Sequence, residues 1–164
     1  MKRIFSILIG MIFIFSVAFG AGKYKIMMSD NASGKIDINT ATREQMLRSG
    51  VAESYVNKIV SFRDVKGGIE NIDELSRISG IGEKTCRKLE KYFVIKDVPQ
   101  LKSLYINKAD DKVLSYYGFD KKEIKKIRKY LEKNEKIKNN IELKKIISKD
   151  KYDKYIEIIK FDIY

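Results

Sequence analysis

The stretch "ISGIGEKTCRKLEKYF", residues 78–93, decides the fold. Its two glycines, Gly80 and Gly82, flank an isoleucine, and a basic helix is predicted from Glu83 onward. Glycine adopts a positive φ at no steric cost, so the pair favours a tight turn between two short helices. Bare glycines also leave the N–H groups of the turn uncovered at a helix N-terminus, where an anion is stabilised. The stretch is therefore either a plain turn or a phosphate-binding hairpin.

Cations follow this turn, and an earlier turn resembles it. Lys84, Arg87 and Lys88 would let a bound phosphate meet backbone donors and positive charges together. Gly50-Val51-Ala52 mirrors Gly80-Ile81-Gly82, with alanine in place of the second glycine. The two turns predict a pair of helical hairpins related by rough pseudo-symmetry. Since a nucleic-acid duplex has two strands, such a pair offers two phosphate sites.

The composition favours an anionic partner and excludes several kinds of chemistry. Thirty-four Lys and Arg against 22 Asp and Glu give a formal net charge of +12. Such a charge favours nucleic acid or an anionic surface, although a lysine-rich solvated surface is the plain alternative. With no histidine and one cysteine, the chain lacks Ser-His or Cys-His catalysis, His-based metal sites and an internal disulfide. We therefore expect no catalytic residue, no metal ligand and no cofactor.

The N-terminus predicts export. Residues 1–22 contain two basic residues and then an uncharged apolar run over residues 4–17, followed by small residues that a signal peptidase reads. The segment is either a secretory signal, cut near Gly20, or an uncleaved membrane anchor. Residues 23–34 lack periodicity and indicate a linker. Both interpretations place the rest of the chain outside the cytoplasm, in the periplasm or at the cell surface.

A shift of 68 residues reveals an internal repeat that predicts an all-α fold of tandem units, each with four short helices in paired hairpins. The units are residues 35–97 and 98–164. Their predicted helices cover residues 42–49, 52–64, 72–78, 83–92, 110–117, 120–133, 140–147 and 150–161. The helix-capping residues recur as well, which fits duplication better than chance. The predicted caps are Thr42 with Gln45, Asn71 with Glu74, Asp110, and Asn139 with Glu142.

The first unit resembles a known family. The motifs "INTAT" (residues 38–42), "FRD" (62–64) before a Gly-Gly turn, "NIDEL" (71–75) and "ISGIG" (78–82) are together similar to the helix-hairpin-helix domain of ComEA-type competence DNA receptors. The resemblance implies sequence-independent binding of double-stranded DNA outside the cytoplasmic membrane during DNA uptake. The DNA-binding residues it implies, together with the basic residues beside the turns, are Gly50, Val51, Ala52, Lys58, Gly80, Ile81, Gly82, Lys84, Arg87 and Lys88.

The second unit departs from that pattern. Gly118-Phe119-Asp120 carries an acid where the second glycine would stand, and the last turn has no glycine, so no phosphate site is expected there. Yet the net charge is +3 over residues 23–97 and +7 over residues 98–164. The second unit either adds a basic surface beside DNA or serves as a structural or partner-binding domain.

These features favour one function over two others. The favoured one is a DNA receptor that acts with DNA-uptake or secretion-machinery proteins and has no small-molecule substrate. The alternative is a protein-interaction module of an envelope secretion or pilus system that does not bind DNA. A DNA-processing enzyme is disfavoured, because the chain lacks room for the larger helical body of such enzymes and shows no carboxylate cluster.

Overall fold

The computed structural model describes residues 34–161. The expected signal or anchor lies outside these residues, as does almost all of the expected linker. The described part is predominantly helical, in agreement with the predicted all-α class. None of the helices within residues 34–161 is long and apolar enough to span a membrane.

The first half of the described chain contains two strands, three α-helices and a 3-10 helix. In chain order they are β1 (Ile36–Asp37), α1 (Arg43–Arg48), α2 (Glu53–Lys66), the 3-10 helix (Ile72–Arg77), α3 (Glu83–Leu89) and β2 (Phe93–Val94). The second half follows nearly the same order. It consists of β3 (Leu104–Tyr105), α4 (Asp111–Tyr116), α5 (Lys121–Asn134), α6 (Asn140–Lys144), α7 (Lys149–Tyr155) and β4 (Ile159–Lys160). This likeness supports the predicted duplication, which stays an inference.

Two short parallel strand pairs were not anticipated from the sequence. β1 pairs with β2, with Ile36 opposite Phe93, and β3 pairs with β4, with Leu104 opposite Ile159. The helices predicted over residues 83–92 and 150–161 therefore end earlier, at Leu89 and Tyr155, because a turn after each of them leads into a strand. The helix predicted over residues 140–147 also ends earlier, at Lys144. The segment predicted as a helix over residues 72–78 is a 3-10 helix.

The predicted caps are present, with one difference in detail. Thr42 and Gln45 form a complete capping box at α1, and Asp110 accepts a hydrogen bond from the N–H of Val113 at α4. Asn71 and Asn139 also cap their helices. The glutamates three residues later accept from the residue before the cap instead of the cap itself. Glu74 accepts from the N–H of Glu70, and Glu142 from that of Lys138.

In each half, one asparagine hydrogen-bonds the segment after the first strand to the loop after the longest helix. The Asn39 side chain donates to the carbonyl of Ile69 at 3.0 Å and accepts from its N–H at 2.8 Å. Asn107 makes the same two contacts with Ile137, at 2.9 and 2.8 Å. Each asparagine thus satisfies both the N–H and the carbonyl of a buried isoleucine. These two hydrogen bonds hold the second helical hairpin of the half against its first strand.

Each half has its own apolar core, and one side chain crosses between them. Tyr116 of α4 belongs to the core of the first half, where its ring centroid lies 4.6 Å from that of Phe62. The segment that joins the halves, residues 98–103, also packs closely, since a Cβ on Gly67 or Gly68 would lie within 3 Å of Pro99, Gln100 or Lys102. Cys86 is buried in the first core, and burial raises the pKa of its thiol.

A buried ion-pair network lies at the junction of the halves. Lys66 at the end of α2 is fully buried, and its Nζ lies 2.6 Å from Glu74 and 2.7 Å from Glu70. Glu74 also pairs with Arg77 at 3.0 Å, while Lys154 of the second half pairs with Glu70 at 3.2 Å. Burial alone would raise the pKa of Glu70, but its hydrogen bond with Lys66 and the nearby positive charges hold it below its ordinary value.

Candidate nucleic-acid interface

The first candidate turn joins α1 to α2. Gly50 has φ of +96°, a value that L side chains rarely adopt, and it is exposed. Ala52 stands at the N-cap of α2 with an extended backbone and makes no side-chain hydrogen bond to the helix. The first N–H groups of any helix have no intrahelical acceptor. In α2 the N–H of Tyr55 donates to the carbonyl of Ala52, and those of Glu53 and Ser54 are left to a ligand or to solvent.

The second candidate turn joins the 3-10 helix to α3 and has the same geometry. Gly80 has φ of +81°, and Gly82 is the N-cap of α3 with φ of −83° and ψ of 172°. Glycine offers no side-chain cap, and a Cβ built on Gly82 would meet nothing within 4 Å. The space in front of the α3 N-terminus is therefore open. Gly82 itself is in an ordinary extended conformation that other residues also adopt.

The middle residues of the turns anchor them and do not face solvent. Val51 is 4% exposed and Ile81 1% exposed. Their N–H groups are also engaged, since that of Val51 donates to the carbonyl of Met46 and that of Ile81 to the carbonyl of Ile78. Both residues were included among the candidate contacts. They hold the turns in place, and neither their side chains nor their N–H groups are available to a phosphate.

Cations surround the second turn from two directions. Lys84, Arg87 and Lys88 are exposed on α3, as the sequence places them. Lys58 reaches across from α2, where its Nζ donates to the carbonyl of Ser79 at 2.8 Å. The same Nζ lies 2.6 Å from the point where a Cβ on Gly80 would stand. Lys58 thus joins the two hairpins and places its charge at the second turn.

Two contacts at the first turn were missed by sequence reasoning. The ring of Tyr92 lies 3.7 Å from the Cβ position of Gly50. Arg43 forms an ion pair with Glu53, the first residue of α2, and so neutralises the carboxylate nearest this turn. Both contacts join different elements of the fold, for which helical periodicity gives no signal.

In the third turn, at the start of α5, an aspartate of the turn occupies backbone N–H groups of the helix start. Gly118 has φ of +80°, and Phe119 is buried as Val51 and Ile81 are. The Asp120 carboxylate then accepts hydrogen bonds from the N–H groups of Lys122 at 2.7 Å and Glu123 at 2.8 Å. The bond from Glu123 is the largest of the effects that hold the pKa of Asp120 below its ordinary value. The N–H of the second helical residue, which has no acceptor among the described residues in α2 or α3, is therefore occupied here.

The fourth turn precedes α7 and has no positive-φ glycine. Ile146 and Ile147 are buried, and Ser148 stands at the N-cap, where Gly82 stands before α3. Ser148 is therefore the structural counterpart of Gly82. The hydroxyl and N–H of Ser148 both donate to Glu123, at 2.7 and 3.1 Å. Within residues 34–161, no cluster of His, Cys, Asp or Glu side chains could hold a metal ion.

Comparison with known proteins agrees with this geometry for the first half. Residues 31–94 match the helix-hairpin-helix motif family. ComE operon protein 1 of Bacillus subtilis (strain 168) is 35% identical over 72 residues, which cover 43% of this chain and 35% of that protein. An uncharacterized protein of Haemophilus influenzae is 34% identical over 58 residues, which cover 34% of this chain and 52% of that protein.

A further relative carries an enzyme-family name. Endonuclease/exonuclease/phosphatase family domain-containing protein 1 of Danio rerio is 34% identical over 71 residues, which cover 39% of this chain and 13% of that protein. The chain spans about a third of the length of ComE operon protein 1. No solved structure matches the chain. The family match, the identity to ComE operon protein 1 and the two open turns agree on the same part of the chain: residues 31–94 match the helix-hairpin-helix motif, and this region is similar to ComE operon protein 1.

Proposed function

We propose that this protein binds double-stranded DNA without sequence preference, through the phosphates. The observation that carries the proposal is the pair of turns at Gly50 and Gly80. Each has a positive-φ glycine, a buried anchor residue and an uncapped helix start. Backbone donors recognise phosphates irrespective of the base, so such contacts position a protein on DNA without reading its sequence.

Both backbone and side-chain groups would contribute to binding at the two turns. The helix starts at Ala52 and Gly82 supply N–H donors and the positive end of the helix dipole. Lys58, Lys84, Arg87 and Lys88 supply charge around the second turn and release counterions from the duplex on binding. Because the first turn has alanine at the position of Gly82, it presents a narrower site. We expect the second turn to contribute more to binding.

The cellular setting is part of the proposal. An N-terminal segment with the features of a secretory signal or anchor supports export to the periplasm or cell surface. Similarity to ComE operon protein 1 supports a role as a receptor in DNA uptake, with uptake or secretion-machinery proteins as further partners. We propose a binding role and no catalytic one. The match to the Danio rerio protein covers 13% of it, so the enzyme-family name is not carried over.

Duplex binding measured against salt tests this function. We would titrate the chain without residues 1–22 into labelled duplexes of unrelated sequence and follow fluorescence anisotropy. If about three to five phosphates are contacted, the logarithm of the association constant falls against that of salt concentration with a slope of roughly −3 to −4.5. Unrelated duplexes should bind equally. If no duplex binds at low salt, the proposal is rejected, and capture of envelope proteins would then favour the interaction-module alternative.

A further inference from the structure

A basic groove lies between the two halves, next to the second turn. It has a volume of about 620 Å³. Arg77 and Ser79 from the first half line one side, and residues of α4 and α5 line the other. Ser79 directly precedes Gly80, and its carbonyl accepts the hydrogen bond from Lys58. The groove therefore continues the surface that the second turn begins.

The charge of the groove is strongly positive. The five basic residues that line it are Arg77, Lys112, Lys121, Lys125 and Arg128. Its one acidic residue, Asp111, is paired with Arg128 at 2.7 Å. Arg77 is also engaged, by Glu74 and by the carbonyl of Tyr116. In the described part of the chain, no ion pair involves Lys112, Lys121 or Lys125, and all three are exposed. An extended anion would meet three uncompensated charges there.

The second half has no turn that combines a positive-φ glycine with an uncapped helix start. Its third turn is occupied by Asp120, and its fourth turn, although uncapped at Ser148, lacks the positive-φ glycine found at Gly50 and Gly80. The groove therefore offers DNA side chains and no such turn. Four lysines of α5 divide between two surfaces. Lys125 lies in the groove, whereas Lys126, Lys129 and Lys133 line a separate cleft.

We infer that the groove is a second contact site for the duplex bound at the two turns, and that Lys112, Lys121 and Lys125 hold its phosphate backbone. This inference rests on the proposed function and extends it. The continuity through Ser79 places the groove on the path of a strand that leaves the second turn. The second half thus contributes to DNA affinity through lysine side chains, without backbone donors.

A pair of matched triple variants tests the inference. Lys112→Gln, Lys121→Gln and Lys125→Gln together remove three charges from the groove. The control variant carries Lys126→Gln, Lys129→Gln and Lys133→Gln, which removes three exposed charges from the other surface of the same helix. Duplex binding of the full-length chain would be measured by anisotropy over a salt series. Thermal unfolding would check that both variants fold.

The two variants should differ clearly. At 0.1 M salt each lost phosphate contact lowers the association constant by roughly eightfold, and it makes the salt slope shallower by about 0.9. We expect the groove variant to lose at least one such contact. In the control variant the association constant should change by about twofold. Equal effects would overturn the inference in favour of bulk charge. An unchanged groove variant would overturn it too, while binding by the unaltered chain would leave the proposed function standing.

Discussion

At the residue scale, the N-cap position after the glycine turn is occupied by glycine in the first half and by aspartate in the second. Gly82 leaves the start of α3 uncapped, whereas Asp120 accepts two N–H groups at the start of α5. Aspartate is among the strongest N-cap residues because its carboxylate takes the donors that a helix start leaves over. A phosphate needs the same donors. The acid at position 120 led us to expect no phosphate site there. The structure adds that the Asp120 carboxylate already binds N–H groups that a phosphate would need.

Asp120 should also give the second half a dependence on pH. Its pKa is lower in the folded protein, so its charged form stabilises the fold above the ordinary carboxyl range, and this stabilisation is lost as the pH falls below about 4. We expect Asp120→Asn, which keeps an N-cap but carries no charge, to melt lower than the unaltered chain at pH 7. The gap should narrow at pH 3.

Thermal unfolding at the two pH values measures this gap. Glu132→Gln removes one negative charge from the same helix away from its cap, and so controls for the change in net charge. A gap of the same size at pH 3 and pH 7 for Asp120→Asn would argue against a charged cap.

At the element scale, local signals predicted the helix starts better than the ends. Thr42, Asp110 and the two asparagine caps are recognisable from a few neighbouring residues, and all four cap their helices. The early ends of α3 and α7 depend on strands whose partners lie far away in the sequence, such as Ile36 for Phe93. Helical periodicity contains no information about such pairing, which is why both helices were predicted too long.

The Lys66–Glu74 pair connects α2 to the 3-10 helix and should be strongly coupled. Both side chains are buried, so removing Lys66 takes the closest cation from the buried Glu74 carboxylate and leaves Arg77 as its ion-pair partner. Lys66→Met is expected to lower the free energy of unfolding by up to about 3–5 kcal/mol. The double variant Lys66→Met with Glu74→Met should lose less than Lys66→Met alone, because the buried carboxylate is removed together with its closest cation. Denaturant unfolding measures both; additive losses would show that the pair is not coupled.

At the scale of the whole molecule, the halves share an interface that repeats alone do not predict. Each has its own core, but Tyr116 of the second half lies in the core of the first, against Phe62. The aligned position in the first half, Arg48, is a basic residue, so the repeat gave no hint of a buried aromatic ring. The groove beside Ser79 exists only because the halves pack in this way.

Tyr116→Ala should therefore destabilise both halves. Loss of a buried aromatic side chain costs about 3–5 kcal/mol in free energy of unfolding. Ile141→Ala provides the control, because that side chain is 70% exposed and its loss should cost less than about 0.5 kcal/mol. Denaturant unfolding followed by circular dichroism measures the change. Equal effects of the two substitutions would contradict a shared interface.

The candidate site was predictable in part. The glycine turns and the cations of α3 follow from local sequence and lie where they were expected. The burial of Val51 and Ile81 leaves fewer candidate DNA contacts than the sequence suggested. The sequence alone could not distinguish the buried anchor residue of a turn from the residues whose N–H groups are exposed. The position of Lys58 at Gly80 depends on packing between hairpins, which single-sequence patterns do not specify.

The central claim is that the helix start at Gly82 binds phosphate through open backbone donors. Gly82 suits this test better than Gly80, since its φ is compatible with any residue and its Cβ position is empty. Gly82→Asp should cap α3 as Asp120 caps α5, whereas Gly82→Ala reproduces the alanine already present at position 52.

Duplex affinity of these two variants, measured by anisotropy at 0.1 M salt, tests the claim most directly. The account predicts that Gly82→Ala binds within about twofold of the unaltered chain. Gly82→Asp should bind about tenfold more weakly, because it loses a phosphate contact, with its melting temperature maintained. Equal binding by both variants, whether retained or lost, would contradict the account.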